Sequence, residues 1–477
     1  MPTFNFSRNV LELAPGTSMK LKMQSSRHSR TSRRSFLLRT GVATVTFQIL
    51  PAHILGLNGA QPANERVNIA GIGLGGQGTG DISQFKDHNI VALCDVDSAT
   101  AAGAFKRFPN AKRYTDYREM FDKQKDIDAV VVATPDHQHA FATMRAINAG
   151  KHVYCEKPLT HSVWEARQIA EAARKKKVAT QMGNQGQASE GTRRLQELIL
   201  DNAVGPVTEV HIWTDRPSNG LFNEYWPQGV PRPKETPAVP STLDWDLWLG
   251  PAPERPYHPA YTPFKWRGWW DFGTGALGDI GCHSFDPIFR ALKLGAPLSV
   301  EASSSRVNEE TYPIASMVIY RFAARGEMPP VELRWYDGGL RPPRPDELGS
   351  DQAMPTTGAY LVGKKGKIIG ERYTYRLLPD SLQKEYGDPP RKLARSPGHY
   401  QEWIDACKGG SAAGSNFDWA GPLTETVLLG NVALRLKMRE EVTKKKLLWD
   451  PLNLRFTNSE AANQFLRREY RRGWDLI

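Results

Sequence analysis

The sequence predicts an α/β protein with two domains, of which the first is built around a doubly wound parallel sheet. Three observations support this fold class. At 477 residues the chain is longer than one ordinary domain. Short apolar runs alternate with helical stretches in its first half, as in parallel strands joined by helices. A glycine cluster follows the first apolar run, where such a sheet binds its ligand.

Composition and charge place the chain among globular proteins and argue against nucleic acid as a partner. The chain is 40% hydrophobic and 24% charged, with a net charge of +11. Seven of these excess positive charges lie in the first 60 residues, which hold eight Lys or Arg residues and one acid, Glu12. The remaining chain is therefore too evenly charged to predict a phosphate-binding surface.

The cysteines predict neither a disulfide framework nor a metal site. All four lie far apart in the sequence, without the paired spacing of metal ligands: Cys94, Cys155, Cys282 and Cys407. We expect them to be packing residues, and we predict no bound metal.

Residues 1–60 form a predicted export leader. Arg33 and Arg34 precede an apolar pair, Leu37 and Leu38, and a mildly apolar run continues over Thr40–Leu57. This order resembles a twin-arginine (Tat) signal, whose passengers cross the membrane folded. A basic tail with a chance Arg-Arg pair is the alternative. We predict that the Tat export machinery recognises the leader, and that the protein is periplasmic or attached to the outer side of the cytoplasmic membrane through the leader alone.

We predict four segments along the chain. They are the leader (1–60), a dinucleotide-binding domain (61–186), a substrate-binding domain (187–440) and a C-terminal tail (441–477). The tail is basic and aromatic, and its sequence alone predicts no function.

The glycine cluster matches the dinucleotide-binding fingerprint. Val67–Ile72 reads as a buried strand and leads into the GxGxxG motif of residues 73–78. Such glycines permit a tight turn, close approach of a pyrophosphate and helix packing. We expect the cofactor to lie against Gly73, Gly75, Gly76 and Gly78. A register starting at Gly71 also fits the motif, but the later register leaves the strand its full length.

A carboxylate follows the second predicted strand, Ile90–Cys94. Asp95 lies twenty residues after Gly75, where an acid binds the adenosine ribose of NAD. No basic residue stands beside it to receive the additional phosphate of NADP, so the sequence favours NAD. A plain turn residue at the strand end is the alternative for Asp95.

The alternation continues to about residue 182. Predicted strands at Ala129–Ala133, Lys151–Cys155 and Val178–Met182 are separated by predicted helices at Gln138–Asn148 and Ser162–Lys176. Two polar motifs follow strands, Thr134–His139 and Glu156–Pro158. Both are expected at the ligand-binding edge of the sheet, because ligands bind at the carboxyl ends of parallel strands.

These motifs together resemble the Gfo/Idh/MocA family, the relatives of glucose–fructose oxidoreductase and inositol dehydrogenase. The matching residues are the glycine loop, Asp95, Ala133–His137, Glu156–Pro158 and Gly273–His283, and the likeness runs from about Val67 to about Lys437. The resemblance implies bound NAD contacted by Thr134, Pro135, His137, Glu156 and Lys157. It also implies a second domain with an open, mixed and largely antiparallel sheet, whose outer face pairs subunits into a homo-oligomer.

The resemblance places a lysine beside the nicotinamide and an Asp-x-x-x-His pair opposite it. Asp279 and His283 are four residues apart and therefore share one helix face. We predict His283 as the base that removes a hydroxyl proton, Asp279 as the residue that orients it, and Lys157 as the group that stabilises alkoxide charge. A buried Lys157 as the base, and an Asp–His pair that serves helix stability alone, remain alternatives. A cis peptide before Pro158 is expected.

Other histidines are weaker candidates. His137 and His139 lie near the predicted cofactor, but structural roles, or roles in supporting the residues that contact the cofactor, are favoured for them. His399 opens a predicted helix.

The second domain begins with a predicted helix, Glu190–Asn202, and a strand, Val207–Trp213. Further short strands are separated by turns, and a closing helix spans Leu423–Lys437. The later strands are predicted at Leu298–Ser304, Ala315–Phe322, Pro330–Tyr336, Ala359–Gly363 and Lys367–Gly370.

Residues 211–270 predict a long ordered loop system. They contain seven of the thirteen tryptophans, and eleven prolines fall within residues 217–263. Tryptophans offer flat faces to sugar rings, but they also pin loops to a core. We expect one or two of the seven to contact substrate, with Trp269 and Trp270 as candidates. Asn184 is a further candidate, for which a turn role is the alternative.

The predicted activity is hydride transfer between a hydroxyl group of a sugar, polyol or glycoside and a tightly bound NAD. One alternative is an NAD-dependent glycosidase that oxidises its sugar transiently to permit elimination. Another is a sugar- or nucleotide-binding protein without chemistry, which the combination of Lys157, Asp279 and His283 disfavours.

Overall fold

A computed structural model describes residues 65–218, 224–371, 373–436 and 446–476. The predicted leader lies outside the described residues. Within them, none of the helices is long and apolar enough to span a membrane. The same residues contain no cluster of three His, Cys, Asp or Glu side chains arranged to hold a metal ion.

The first domain is a six-stranded parallel sheet with helices on both faces. Its strands are β1 (Asn68–Ile72), β2 (Asn89–Cys94), β3 (Lys112–Tyr114), β4 (Ala129–Val132), β5 (His152–Glu156) and β6 (Thr180–Gly183). Its helices are α1 (Gln77–Ser83), α2 (Ala102–Arg107), α3 (Tyr117–Lys123), α4 (Asp136–Asn148) and α5 (Val163–Lys176). The strand order is β3-β2-β1-β4-β5-β6, and all pairs are parallel. The predicted doubly wound sheet is confirmed.

The sequence predicted five of these strands because their apolar residues are buried on both faces of the sheet. Ile69, Val130 and Val153 have no exposed surface. The edge strand β3 was missed, since its sequence, Lys-Arg-Tyr, is polar and its first two residues are exposed. A capping box explains the start of α5, where the Ser162 hydroxyl and the Glu165 carboxylate each accept a backbone N–H.

The second domain contains a nine-stranded mixed sheet. Its strands are β7 (Val207–Trp213), β8 (Ser299–Ser304), β9 (Ser316–Phe322), β10 (Val331–Tyr336), β11 (Gly358–Gly363), β12 (Lys367–Glu371), β13 (Thr374–Leu378), β14 (Leu447–Asp450) and β15 (Arg455–Phe456). The order is β13-β12-β11-β7-β10-β9-β8-β14-β15, and only β7 and β10 pair in parallel. This agrees with the expected open, largely antiparallel sheet, although β13 to β15 were not predicted.

In the part of the chain that the structure describes, seven further helices follow the first domain: α6 (Glu190–Leu200), α7 (Trp245–Leu249), α8 (Gly275–Ala291), α9 (Asp380–Tyr386), α10 (His399–Cys407), α11 (Phe417–Leu436) and α12 (Glu460–Asn463). Helix α8 packs on the sheet, where Phe285 contacts the rings of Tyr320 and Trp335 at centroid distances of 5.5 and 5.9 Å. Helix α11 packs closely against α8 at Gly281, where a Cβ atom would lie 3.0 Å from the side chain of Val427 in α11. This packing fixes the direction in which α8 presents its polar residues.

The predicted loop system of residues 211–270 carries short helical pieces. Helix α7 and a 3₁₀ turn at Lys265–Gly268 lie within it, and an aromatic cluster holds them together. Trp248 and Phe272 meet edge to face at 4.9 Å, and Tyr261 contacts Trp269 at 4.7 Å. The prolines therefore interrupt regular structure without leaving the segment unpacked.

Candidate functional site

A cavity of about 820 Å³ lies between the two domains at the carboxyl ends of β1, β2, β4 and β5. One end is lined by the glycine loop and Asp95. The other end is lined by Lys157 from the first domain and by Asp279 and His283 from α8 of the second. Its size and its position at the edge of a parallel sheet are those of a cofactor and substrate site.

The glycine loop has the geometry that the fingerprint requires. Gly73 adopts φ of +79°, and a side chain there would lie 2.6 Å from the backbone nitrogen of Thr134. A side chain at Gly78 would overlap the carbonyl oxygen of Gly73. Gly75 and Gly76 line the cavity, and the space beside Gly76 is open. The strand ends at Ile72, so the later glycine register is the one that the chain adopts.

Asp95 closes the adenosine end of the cavity. Its two carboxylate oxygens accept the backbone N–H groups of Leu74, at 2.6 Å, and Asp97, at 2.9 Å. These two bonds leave further lone pairs on the carboxylate for ribose hydroxyls. Burial raises the pKa of Asp95 to about 6, although the backbone donors oppose the shift.

This end of the cavity suits NAD and disfavours NADP. The described residues that line it include three aspartates, Asp95, Asp97 and Asp116, and no Lys or Arg. A 2′-phosphate would meet the carboxylates of Asp95 and Asp97, and the guanidinium of Arg118 is engaged by Asp116 at 2.7 Å, whereas ribose hydroxyls donate to these carboxylates. The residues present therefore fit the cofactor that the sequence predicted.

The two polar motifs meet at the middle of the cavity. Thr134, Pro135 and Glu156 line it together. His139 joins the motifs, because its ring nitrogens lie 2.7 Å from the carbonyl oxygens of Thr134 and Pro158. Burial lowers the pKa of His139 to about 4, so the ring is neutral and donates to one of the two carbonyls. The Lys157–Pro158 peptide is cis, as expected.

Glu156 sits in a buried polar network behind Lys157. Its carboxyl group accepts hydrogen bonds from the Gln185 side chain at 2.8 Å and from the Lys157 backbone at 3.2 Å. Burial raises its pKa well above the usual range, and the nearby Asp81 raises it further. Through these hydrogen bonds Glu156 supports the Lys157 turn from within the first domain.

Lys157 and Asp279 form an ion pair across the cavity. Lys157 Nζ lies 2.7 Å from Asp279 Oδ1, and Arg267 Nε lies 3.2 Å from the same oxygen. The side chains of all three are less than a fifth exposed. The pair joins the Glu-Lys-Pro turn of the first domain to α8 of the second.

The ion pair keeps Lys157 protonated. Burial is the largest influence and acts to lower the pKa of Lys157, but the attraction and hydrogen bond of Asp279, together with Glu156, outweigh it, so the net shift of the pKa is upward. Burial acts to raise the pKa of Asp279, but Lys157 and Arg267 hold it well below its usual range. Lys157 is thus a hydrogen-bond donor at neutral pH in this structure, which argues against the alternative in which it is the base.

His283 follows Asp279 by one helical turn and also lines the cavity. Its Nδ1 lies 3.3 Å from the hydroxyl oxygen of Tyr373, and within the described residues no hydrogen bond joins it to Asp279. Burial lowers the pKa of His283 to about 3, with a further contribution from Lys157, so the imidazole is neutral. The sequence predicted that Asp279 orients the His283 ring, but the observed contact of the imidazole is with the Tyr373 hydroxyl. Asp279 pairs with Lys157 instead.

Comparisons with known proteins agree with this geometry. Residues 66–184 match the "Oxidoreductase family, NAD-binding Rossmann fold" domain, and residues 214–328 match the "Oxidoreductase family, C-terminal alpha/beta domain", both of the Gfo/Idh/MocA group. The chain is thus similar to the two domains of that family over these two segments, which together make up just under half of its length. The cofactor of its first domain is NAD.

Curated relatives match this chain over part of their length. Inositol 2-dehydrogenase of Salmonella typhimurium is 31% identical over 124 residues, which are 26% of this chain and 37% of that enzyme. Levoglucosan dehydrogenase of Pseudarthrobacter phenanthrenivorans is 28% identical over 194 residues, 41% of this chain and 40% of that enzyme. The chain thus spans well under half of the length of these relatives.

Solved structures share the fold over most of their length. The WlbA dehydrogenase from Bordetella pertussis, in complex with NADH and UDP-GlcNAcA, has a TM-score of 0.54 at 16% identity, covering 81% of this chain and 98% of that one. Levoglucosan dehydrogenase in complex with NADH and levoglucosan has a TM-score of 0.52 at 18% identity, covering 79% and 98%. At these identities the likeness establishes the fold.

The structure corrects the predicted tryptophan contacts. Trp269 and Trp270 are 1% and 2% exposed, and they lie outside the cavity wall formed by the described residues. Their indole N–H groups donate to the carbonyl oxygens of Ala260 and Asn308. They pin the loop to the core, while Trp248 and Trp266 of the same loop line the cavity.

Two further predicted contacts are also corrected. His137 is fully buried behind the cavity wall, with its ring nitrogens against the carbonyl oxygens of Trp248 and Phe272 at 2.9 and 3.3 Å. Asn184 is 1% exposed and lies behind the wall, whereas its neighbour Gln185 lines the cavity. In both cases the strand end was predicted correctly, but the side chain does not line the cavity.

Several residues on the substrate side of the cavity were not predicted as site residues from the sequence. Arg267 stacks over Phe264 and Trp266 at 4.1 and 4.2 Å, and Arg216 stacks over Tyr225 at 4.4 Å. All five line the cavity. The dense aromatic composition of the loop was a signal for such a surface, but no periodicity indicated which aromatic residues face inward.

Asp95 gives a prediction about pH. Its charge favours the ribose contact, so NAD affinity is expected to fall as pH decreases through about 6, where the carboxylate becomes protonated. Asp95→Asn is expected to weaken NAD binding about tenfold and to remove this pH dependence. Isothermal titration between pH 5 and 8 measures both effects; Asp97→Asn, at the same end of the cavity, is the control and should keep the transition. A wild-type affinity that is flat over this range contradicts the role of Asp95.

Proposed function

We propose that the protein is an NAD-dependent oxidoreductase that transfers a hydride between the cofactor and a hydroxyl-bearing carbon of a sugar, polyol or glycoside. The observation that carries this proposal is the 2.7 Å ion pair between Lys157 and Asp279, with neutral His283 beside it. These groups lie in the same cavity as the glycine loop and Asp95. A proton acceptor and a cationic donor thus stand together at one end of an NAD site.

In the direction of alcohol oxidation, the bound nicotinamide supplies the hydride acceptor. Lys157 donates a hydrogen bond to the substrate oxygen and stabilises the negative charge that develops there. Neutral His283 accepts the hydroxyl proton at its nitrogen remote from Tyr373, so its Nδ1–H donates to the tyrosine oxygen. Asp279 holds Lys157 in its charged form and in position. In the reverse direction His283⁺ returns the proton.

The substrate class follows from the cavity wall and from the relatives. Tyr225, Phe264 and Trp266 offer aromatic faces, and Arg216 and Arg267 offer hydrogen-bond donors. Such a combination suits a polyhydroxylated ring, which has both apolar C–H faces and hydroxyl groups. Relatives named for inositol and levoglucosan support the same class.

The test uses protein purified without added nucleotide. After denaturation, the released dinucleotide is identified and counted; we expect close to one NAD per chain. Sugars, polyols and glycosides are then added to intact protein while the absorbance of reduced nicotinamide is followed. Conversion of bound NAD to NADH supports the proposal. Glycoside cleavage with no net reduction would instead identify the NAD-dependent glycosidase, and protein that neither contains nor binds NAD would refute both.

We also propose that the chain is exported by the Tat pathway through residues 1–60, which supports a tightly held cofactor because free nicotinamide nucleotide is scarce outside the cytoplasm. Replacing both Arg33 and Arg34 with lysine is expected to abolish export while keeping the positive charge. Cell fractionation measures this, with Arg27→Lys combined with Arg30→Lys as the matched control. Unchanged export of the Arg33/Arg34 variant would contradict the proposal.

We propose, in addition, a homo-oligomer that pairs through the outer face of the nine-stranded sheet. This face carries linked ion pairs, among them Arg321 with Glu301 and Glu332, and Arg334 with Glu209. Light scattering of the purified protein tests its oligomeric mass, and a monomer would refute the proposal.

A further inference from the structure

The C-terminal segment, residues 458–476, returns from the second domain and lies across the cofactor domain. Arg468 forms an ion pair with the fully buried Glu165 at 2.8 Å, and Tyr470 donates to the same carboxylate at 3.1 Å. The ring of Tyr470 meets Phe141 of α4 edge to face at 4.8 Å. A buried ion pair and an aromatic contact therefore fix the middle of this segment to the first domain.

The end of the segment reaches the cavity itself. Trp474 is 7% exposed, and it is one of the residues that line the cavity. Its ring meets the rings of Tyr117 and Phe141 edge to face, at centroid distances of 6.4 and 6.0 Å. The guanidinium carbon of Arg118 lies 4.6 Å from the centroid of the Trp474 ring. A basic, aromatic tail without an evident role in the sequence thus supplies an aromatic wall to the site.

The position of Trp474 is the adenosine end. Tyr117 follows β3, which pairs with β2, and Asp95 follows β2. Trp474 therefore lies on the side of the sheet where Asp95 is placed to bind ribose, at the end of the cavity opposite Lys157.

A loop of the second domain also lines this end of the cavity, and the C-terminal segment binds that loop. Residues 242–251 cross the strand end that carries Asp95, since Asp244 donates its backbone N–H to the carbonyl oxygen of Val96 at 2.8 Å. Leu247 and Trp248 of this loop line the cavity. Arg471 binds the loop through the carbonyl oxygens of Gly250 and Asp246, at 2.9 and 2.8 Å, and through the Asp246 carboxylate.

We propose that Trp474 is a cofactor-binding residue and that the C-terminal segment, anchored by Arg468 and Arg471, retains NAD by covering the adenosine end of its site. This inference rests on the proposed function, and it gives the tight binding of the cofactor a structural cause. Release of the dinucleotide then requires the segment to detach from α3, α4 and the loop of residues 242–251.

The test measures cofactor release. Holoprotein loaded with NADH is mixed with excess NAD, and the loss of bound-NADH fluorescence gives the dissociation rate. Trp474→Ala and Arg471→Ala are each expected to accelerate release by about tenfold or more, because each removes a contact that closes the site. Trp474→Phe, which keeps an aromatic ring, is expected to lie closer to wild type.

Arg467→Ala is the matched control. Arg467 belongs to the same segment, but its guanidinium stacks on Trp164, 4.1 Å away, outside the cavity wall of the described residues. We expect its release rate to stay within about twofold of wild type. The midpoint temperature of thermal unfolding is measured for each variant without nucleotide. It distinguishes a variant that is unfolded from one that is folded but has lost the aromatic contact at the cavity.

The outcomes distinguish this inference from the proposed function. Wild-type protein that binds NADH, with equal release rates in the Trp474→Ala, Arg471→Ala and Arg467→Ala variants, overturns the retention role and leaves the oxidoreductase proposal standing. Wild-type protein that binds no NADH overturns both. If Trp474→Ala fails to fold, the Arg471→Ala and Trp474→Phe variants decide, and wild-type release from both overturns the proposal.

Discussion

Replacing Lys157 with methionine is expected to lower kcat by about two to three orders of magnitude, the usual effect of removing one donor that stabilises developing oxyanion charge. Methionine keeps the length and apolar stem of lysine but has no proton to donate to the substrate oxygen. The fold is expected to survive, because Arg267 remains 3.2 Å from Asp279 and keeps its carboxylate paired.

Two further measurements test the interpretation of this result. The NAD content of the Lys157→Met variant should equal that of wild type, which separates chemistry from cofactor loss. Lys175→Met, an exposed change in the last turn of α5, is the control and should have wild-type kcat. A Lys157→Met variant that keeps more than about a tenth of wild-type kcat would contradict the mechanism.

Replacing Asp279, the ion-pair partner of Lys157, is expected to change how kcat depends on pH. In Asp279→Asn the attraction that raises the pKa of Lys157 is lost, while burial and Arg267, which lower it, remain. Lys157 then loses its proton at a lower pH than in wild type, so the alkaline limb of the kcat profile should move towards neutral pH. An unchanged alkaline limb would show that the ion pair does not control the lysine.

Replacing His283 with alanine is expected to lower kcat by about two to four orders of magnitude, the range for a general base. Because burial holds the pKa of His283 near 3, the imidazole of the free enzyme stays neutral and able to accept a proton down to about that pH. A loss of kcat as pH falls from 7 to 5 is therefore not expected from this residue. Added imidazole should restore part of the activity of the alanine variant.

Tyr373→Phe separates the base from the residue that positions it. The ring packs against Gly186, where any side chain would overlap it, so phenylalanine keeps the packing and removes only the hydroxyl at 3.3 Å from His283. We expect a fall in kcat of about tenfold with little change in KM, because one hydrogen bond to the base is lost. Full activity in Tyr373→Phe, or in His283→Ala without imidazole, would contradict these roles.

Local sequence determined much of the site because its chemistry depends on backbone shape and short spacing. The glycine loop requires glycine wherever a side chain would strike neighbouring backbone, as at Gly73 and Gly78. Asp95, Thr134 and Lys157 follow strands whose apolar runs identify them, and parallel strands bring their carboxyl ends to one edge. The four-residue spacing of Asp279 and His283 places both on one helix face, and both line the cavity.

Only the tertiary structure decided which side chains face the ligand and which partners they meet. Lys157 and Asp279 are 122 residues apart, and Tyr373 reaches His283 across 90 residues, so no local pattern could pair them. Trp269 and Trp266 belong to the same loop and both are buried, yet packing leaves Trp269 outside the cavity wall and places Trp266 in it. Trp474 lines the cavity because the C-terminal segment folds back onto the first domain. Composition and periodicity indicate which residues are buried and which face of a helix or strand they occupy. The contacts that build a site between two domains depend instead on how those domains pack.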